Sequence, residues 1–404
     1  MKEGRVDGAQ PVEMPLGHPS PPMRLPLPSR KPSSPGLLEG VPGSRACCRA
    51  VPGKMLAMLQ RSPSVARRPR VLYVTSRRAS FIQLDRDLLV ERYEVREHHQ
   101  PGRLANPLAV LAAVRASDVV VGWWASWHTL LPFAFAWLLR RQSLLIVGGF
   151  DIACERDIGY GYQVGGVARW ASRWIMRRAS ALMTNSEFSR EEFARNTGLP
   201  GSRVTVVHHG VPDVFADDGA RGQRSDPPLI LTVGNVDAAN LERKGLRLFV
   251  ETATLVPEAR FLLVGRVLDA AGEALRSAAP ENASLSGWIA DDELRRHYRE
   301  ASVYLQPSRH EGFGVSVAEA MLAQCVAVVT RAGALPEVVG DTGVVLADAR
   351  PATVAAGIRR GLELAEAGAG ARAREHVLAK FPVQRRREGL WRLVDALLER
   401  EPAG

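Results

Sequence analysis

Lysine is scarce in this chain. It occurs only at positions 2, 31, 54, 244 and 380, and arginine supplies nearly all of the basic charge. A basic block with interleaved aromatics, the usual footprint of a nucleic-acid surface, is missing, so no nucleic-acid partner is expected. Cysteine is equally sparse. Cys47, Cys48, Cys154 and Cys325 show neither metal-ligand spacing nor the density of a disulfide framework, and they fit a reducing cytoplasm. No apolar run approaches the roughly 20 residues that span a bilayer. The longest, Thr129 to Leu139, is stopped by Arg140-Arg141 and reads as a buried helix. The expected location is therefore cytoplasmic, with peripheral attachment at the inner membrane face left open. A charged start followed by an apolar stretch is absent, so no signal peptide is expected. Neither Val71–Arg78 nor Leu229–Asp237 carries Gly-x-Gly-x-x-Gly after its strand, which argues against a nicotinamide dehydrogenase.

What is present suffices for two domains: 404 residues, of which 46% are apolar. The net charge of +10 points to anionic company, either a phosphate-bearing substrate or an acidic membrane surface, unless the arginine excess is purely compositional. Residues 1–66 are rich in Pro, Ser, Gly and Arg and are expected to form a disordered extension. Met55 or Met58 is a plausible true start, the simplest explanation of that segment. Order begins at Val71-Leu-Tyr-Val-Thr75. Strand-like and helix-like segments then alternate through residues 67–215, across a polar linker at 216–228, and again through 229–382. The second series has apolar runs at Leu229–Val233, Arg260–Val264, Ser302–Leu305, Val326–Val329 and Gly343–Leu346. Alternation with continuous apolar strands predicts an α/β protein with parallel sheets covered on both faces. A ligand cleft would lie at the carboxyl ends of the strands. Residues 383–404 close the chain with a helix and tail.

The most informative stretch is Val303-Tyr-Leu-Gln-Pro-Ser-Arg-His-Glu-Gly-Phe-Gly-Val-Ser-Val-Ala-Glu319. It predicts a strand, a glycine turn and a helix N-terminus, with Glu311 and Glu319 eight residues apart. Free N–H groups and the positive dipole end of such a helix suit a phosphate or a hydroxyl-rich ligand. Glycines 312 and 314 let the backbone approach it closely. The outline is that of a sugar-nucleotide site.

This pattern resembles the glutamate-x7-glutamate motif of retaining glycosyltransferases with two facing Rossmann-like domains (GT-B), the family-4 type. The match extends through Leu231–Val236, Arg243-Lys244-Gly245, Phe261–Arg266 and Gly333–Gly340, and more loosely through Leu182–Glu187 and Val206–Val211. The resemblance implies an inter-domain cleft, a terminal helix crossing back to the first domain, and a nucleoside diphosphate sugar as co-substrate. A sugar or lipid-linked acceptor, retained anomeric configuration and no obligatory metal are implied with it. A catalytically degenerate scaffold of the same fold and a sugar-nucleotide epimerase stay open beside it.

For the donor side the resemblance implies roles for Gly234, Asn235, Arg243, Lys244, Glu311, Gly312, Phe313, Gly314 and Glu319. Departure of a diphosphate builds negative charge, and a preplaced cation such as Lys244 lowers that barrier. At about 4 Å and an effective dielectric near 20, such a pair is worth roughly 4 kcal/mol before desolvation. Glu319 would accept from the ribose diol and Glu311 from the donor sugar. Asn235 stands where the family has an arginine, which leaves Arg243 as the second cation. Pro336-Glu337 either shapes a cleft wall or opens a helix. On the acceptor side, Gly148-Gly149-Phe150-Asp151 replaces the family's His-Gly-x-Asp, so the carry-over stops at Gly149 and Asp151. Asp151 is read either as an acceptor base or as a cap. Trp123, Trp124 and His128, with Trp127, either face the cleft or pack the core. Arg77 and Arg78 either meet an anionic acceptor or are solvated. Asp85-Arg-Asp87 formally fits a metal-binding acid pair, but positions two apart on a helix face differently, so no metal site is expected there. Arg169, Arg173 and Arg177 form a stripe: either a membrane-facing helix or one packed by Trp170 and Trp174 with its arginines outward.

Overall fold

A computed structural model of the chain describes residues 67–103, 105–216 and 224–400. The expected extension and most of the linker lie outside these residues. Strands β1 (Arg70–Thr75), β2 (Glu94–His99), β3 (Val119–Trp123), β4 (Gln142–Ile146), β5 (Ala181–Thr184) and β6 (Val204–Val206) form the first sheet. Strands β7 (Leu229–Val233), β8 (Arg260–Val264), β9 (Ala283–Gly287), β10 (Ala301–Gln306), β11 (Val326–Thr330) and β12 (Val344–Leu346) form the second. Every pairing in both sheets is parallel. The central strands read VVVGW, LILTV and VAVVT because helices cover both faces and leave no wet side.

The orders β2-β1-β3-β4-β5-β6 and β12-β11-β10-β7-β8-β9 are both doubly wound. Each reverses direction beside its first strand, between β1 and β3 in one sheet and between β7 and β10 in the other. Crossover loops leave a crevice at the carboxyl ends of those strands, which is where such sheets bind ligands. The two expected Rossmann-like domains are present.

The helix Val383–Leu398 packs against the first sheet although it follows the second in sequence. Leu390, Val394 and Leu397 join the core of β1, β3 and β4. Arg386 donates to both oxygens of Asp85, at 2.8 and 2.6 Å, and to the Val207 carbonyl at 2.5 Å, with both ionic side chains fully enclosed. Asp85 is thus an ion-pair partner of the returning helix, and Asp87 faces Arg86 at 2.7 Å.

Candidate active site

The site is built at the reversal point of the second sheet. After β7 the chain turns at Gly234, runs through the helix Ala238–Arg243, and delivers Lys244 back over the turn. A Cβ at Gly234 would stand 3.0 Å from Lys244 Cδ, so glycine is what lets the lysine lie there. Lys244 Nζ is 3.7 Å and Arg243 Nη1 4.0 Å from Glu311 Oε2, and all three side chains are mostly enclosed. Burial draws the Lys244 pKa below its ordinary value, with Glu311 pulling the other way. Burial likewise acts to raise Glu311, but Lys244, Arg243 and His310 prevail and hold its carboxyl below the usual range.

Backbone contacts hold the glutamate loop in place. Arg309 N–H donates to the Arg243 carbonyl at 2.8 Å, and Ala334 N–H donates to the Glu311 carbonyl at 2.9 Å. Gly333 has φ +61° and sits where a Cβ would run into that same carbonyl. The Gly333–Gly340 segment therefore supports Glu311 from behind. Below the turn, the Val233 N–H donates to the Tyr304 hydroxyl (3.1 Å), which reaches Gln306 (3.3 Å), and Gln306 donates to Ser308 (2.7 Å).

Gly314 opens the helix Val315–Leu322 without a side-chain cap. Glu319 lies on that helix and accepts from the Tyr298 hydroxyl at 3.1 Å. Burial pushes its pKa up to about 7, against the lowering pull of that hydrogen bond. Phe313 turns its ring into an aromatic group with His208, His209 and Phe381, leaving only its backbone to a ligand. Asn235 is exposed at the mouth of the turn.

The first lobe meets this site through two glycines. A Cβ on Gly312 would lie 3.4 Å from the Gly149 amide nitrogen, and Ser186 Oγ donates to the Gly312 carbonyl at 2.9 Å. Arg243 lies 5.2 Å from the centroid of the Tyr160 ring. His310 Nε2 is 2.8 Å from Glu192 Oε1, both buried. With Glu155 these two present ligand atoms within 4.8 Å of one another, the one such group among the described residues. Pro336 and Glu337 open the helix Leu335–Val339, with Glu337 in its first turn. The Glu337 carboxylate accepts from the amides of Glu187 (3.0 Å) and Phe188 (3.3 Å), capping a helix of the other lobe, and pairs with His208 at 2.6 Å.

Several acceptor-side expectations are corrected. Asp151 accepts from the Ala125 amide with one oxygen and from the Gly148 amide with the other, each at 3.0 Å, so it braces two loops. Its pKa rises to about 7 through burial. Trp123 is fully buried, and His128 is bound to the Trp123 carbonyl at 2.7 Å with its pKa lowered to about 4 by burial. Both belong to the core. Trp124 differs: it holds the left-handed φ of +61°, unusual for a bulky residue, and its Nε1 donates to the Gly148 carbonyl at 2.9 Å. Arg77 lies over its ring at 5.9 Å. Neither Arg77 nor Arg78 meets a carboxylate among the described residues. Nothing in the sequence marks Tyr298, Tyr160, Glu192 or His310, because single tyrosines, acids and histidines inside ordinary helices and loops give no periodic signal.

Two doubly wound lobes, with Lys244 and Arg243 gathered against Glu311 at the reversal point of the second sheet, define a two-lobed α/β protein. The family described as "Glycosyl transferases group 1" matches residues 227–363, and "Glycosyl transferase 4-like domain" matches residues 65–210. The chain belongs to the family-4-like glycosyltransferases with the GT-B fold. It is 23% identical to an alpha-D-kanosaminyltransferase of Streptomyces kanamyceticus over 49% of this chain and 55% of the relative. It is 27% identical to the lipopolysaccharide core biosynthesis mannosyltransferase LpcC of Rhizobium leguminosarum bv. viciae, over 56% of this chain and 67% of that one. The first of these matches spans little more than half of the relative's length. Anabaena HepE in complex with UDP-glucose has a similar fold, with a TM-score of 0.64 at 15% identity, covering 81% of this chain and 99% of that one.

Proposed function

We propose that the chain transfers a sugar from a nucleoside diphosphate sugar to a hydroxyl acceptor, with retention of anomeric configuration. The observation that carries the reading is the convergence of Lys244 and Arg243 with Glu311 over the Gly234 turn. In that reaction the bond from the anomeric carbon to the diphosphate oxygen breaks and a bond to the acceptor oxygen forms. Lys244 and Arg243 stabilise the charge growing on the diphosphate. They supply that charge from the chain itself, which is why transfer without an obligatory metal is part of the proposal. Glu311 is already paired with those cations and Asp151 is committed to backbone amides, so the acceptor's proton passes to the departing diphosphate oxygen. Glu319 holds the ribose hydroxyls, while the N–H groups at Gly312 and Gly314 face the phosphates. Trp124, with Arg77 and Arg78, lines the acceptor side, where a sugar or lipid-linked acceptor would lie in a cytoplasmic setting.

A thermal-shift panel of nucleoside diphosphate sugars identifies the donor, since binding raises the melting temperature. With that donor, Lys244→Ala and Glu319→Ala are expected to lose turnover on the order of 10²–10³-fold while staying folded. Turnover like the parent in both variants would refute the site. NMR of the product's anomeric proton decides retention, and activity persisting in EDTA decides the metal.

A further inference from the structure

The helices Pro107–Arg115, Trp127–Leu138 and Gly166–Arg178 pack side by side on one face of the first sheet. Together they contain no aspartate or glutamate. They do contain Arg115, Arg169, Arg173, Arg177 and Arg178, with Arg140-Arg141 following the Leu139 cap of the second helix. Ten large hydrophobic residues stand exposed among the described residues, and five are here: Leu108 (76%), Trp137 (49%), Leu138 (66%), Val167 (71%) and Trp170 (64%). Scattered single hydrophobics are ordinary on a protein surface, but such a concentration marks an interaction site.

The third helix shows how the face is made. Its inner side is Ala171, Ser172, Ile175 and Met176, with Trp174 half-buried against the same core, so of the two tryptophans expected to pack this helix only Trp174 does. Arg173 is also turned inward, donating to Gln163 at 2.9 Å and to the Asn196 carbonyl. Trp170 projects outward instead. The Arg178 guanidinium lies 4.3 Å from the Trp137 ring centroid, and Trp137 meets Trp174 edge-on at 6.1 Å. Indole and guanidinium are thereby presented together. In a parallel layer the helix N-termini lie at the carboxyl ends of the strands. Leu108, Val167 and Trp170 therefore stand toward the cleft rim, with Trp137 and Leu138 at the far end.

A second copy of the chain would bring this basic surface against its own like charge. A layer that is apolar within and anionic at its surface fits both features at once. We propose that this face docks on a bilayer carrying anionic headgroups, with tryptophan and leucine entering the interface and the arginines at the phosphate level. The face lies on the lobe that would bind the acceptor, and its purpose, holding the cleft near a lipid-linked acceptor, rests on the transferase reading. Its existence does not.

The test is flotation of the full chain with vesicles of phosphatidylcholine alone or mixed with phosphatidylglycerol. The parent chain is expected to float with the mixed vesicles, less so as salt is added. Val167→Glu/Trp170→Glu should cut the partition by on the order of tenfold or more. Arg169→Gln/Arg177→Gln should cut it by about fivefold per arginine removed. Melting curves and UDP or GDP binding verify that the variants are folded. Failure of the parent chain to float with mixed vesicles would overturn the proposal, as would equal flotation with neutral ones or variants that float like the parent. So would a dimer that the Val167/Trp170 variant splits without any vesicle binding. A chain that floats but binds no nucleoside diphosphate would sink the transferase reading and leave the docking face standing.

Discussion

Glu319 shows how one carboxyl can be tuned by its surroundings. Its pKa of about 7 means that near neutral pH it is partly protonated in the free protein, because the enclosed helix face penalises the charge. A carboxylate accepts from two ribose hydroxyls more strongly than a carboxylic acid does. Nucleotide affinity should therefore rise between pH 6 and pH 8, by up to about tenfold per unit below the pKa. Tyr298→Phe removes the one hydrogen bond that lowers this pKa, so the midpoint should move to higher pH. Titration calorimetry with UDP or GDP across that range measures both. A flat profile would place the ribose elsewhere. For stability the sign is opposite: a carboxyl raised on folding adds stability that is full below its unfolded value of 4.5 and is lost as pH rises through about 7. The glutamate motif was legible in the sequence because spacing and glycines alone define it. Tyr298 was not, since its contact with Glu319 exists only after two helices meet.

At the level of elements, the returning helix Val383–Leu398 depends on one enclosed ion pair. Removing one partner of a buried pair leaves the other charge uncompensated and typically costs about 3–5 kcal/mol. Asp85→Ala should therefore lower the unfolding free energy by that order in denaturant titration, while Asp87→Ala, at an exposed ion pair, should change it by under about 1 kcal/mol. Equal effects would show that the Asp85–Arg386 pair is not the fastener of this helix. Asp85 could be read as a non-metal helix residue from its spacing, but its partner lies 301 residues away and left no trace. Strands show the same division. The interior strands β1, β3, β4, β7, β8, β10 and β11 announce themselves as apolar runs. The edges β2, reading EVREHH, and β9, reading ASLSG, are half exposed and carry no such run.

At the level of the whole molecule, the lobes are joined by carboxylates as well as by chain. Burial tends to raise the Glu337 pKa, but His208 and the two amides of the opposite helix outweigh it and hold it below 4.5. A lowered carboxyl contributes stability that is present above its unfolded value and lost as pH falls through the folded one. Acidifying from pH 6 to below 4 should loosen the lobes, seen as a larger radius of gyration in small-angle scattering. Glu337→Gln should be looser already at pH 6 and change less on acidification. An unchanged radius in the parent chain would show that this contact does not hold the lobes together.

The sequence by itself determined the class of fold, the doubly wound alternation and the donor-side motif, because strand burial, glycine turns and helix starts are local and leave periodic marks. Tertiary structure alone decided that Trp123 is core while Trp124 bonds the Gly148 carbonyl, that Asp151 is a brace, and that Glu337 caps a helix of the other lobe. It also gathered three helices without an acid into one exposed, basic face. Those outcomes turn on what stands opposite a side chain in space, and a partner hundreds of residues away writes nothing into the neighbouring sequence.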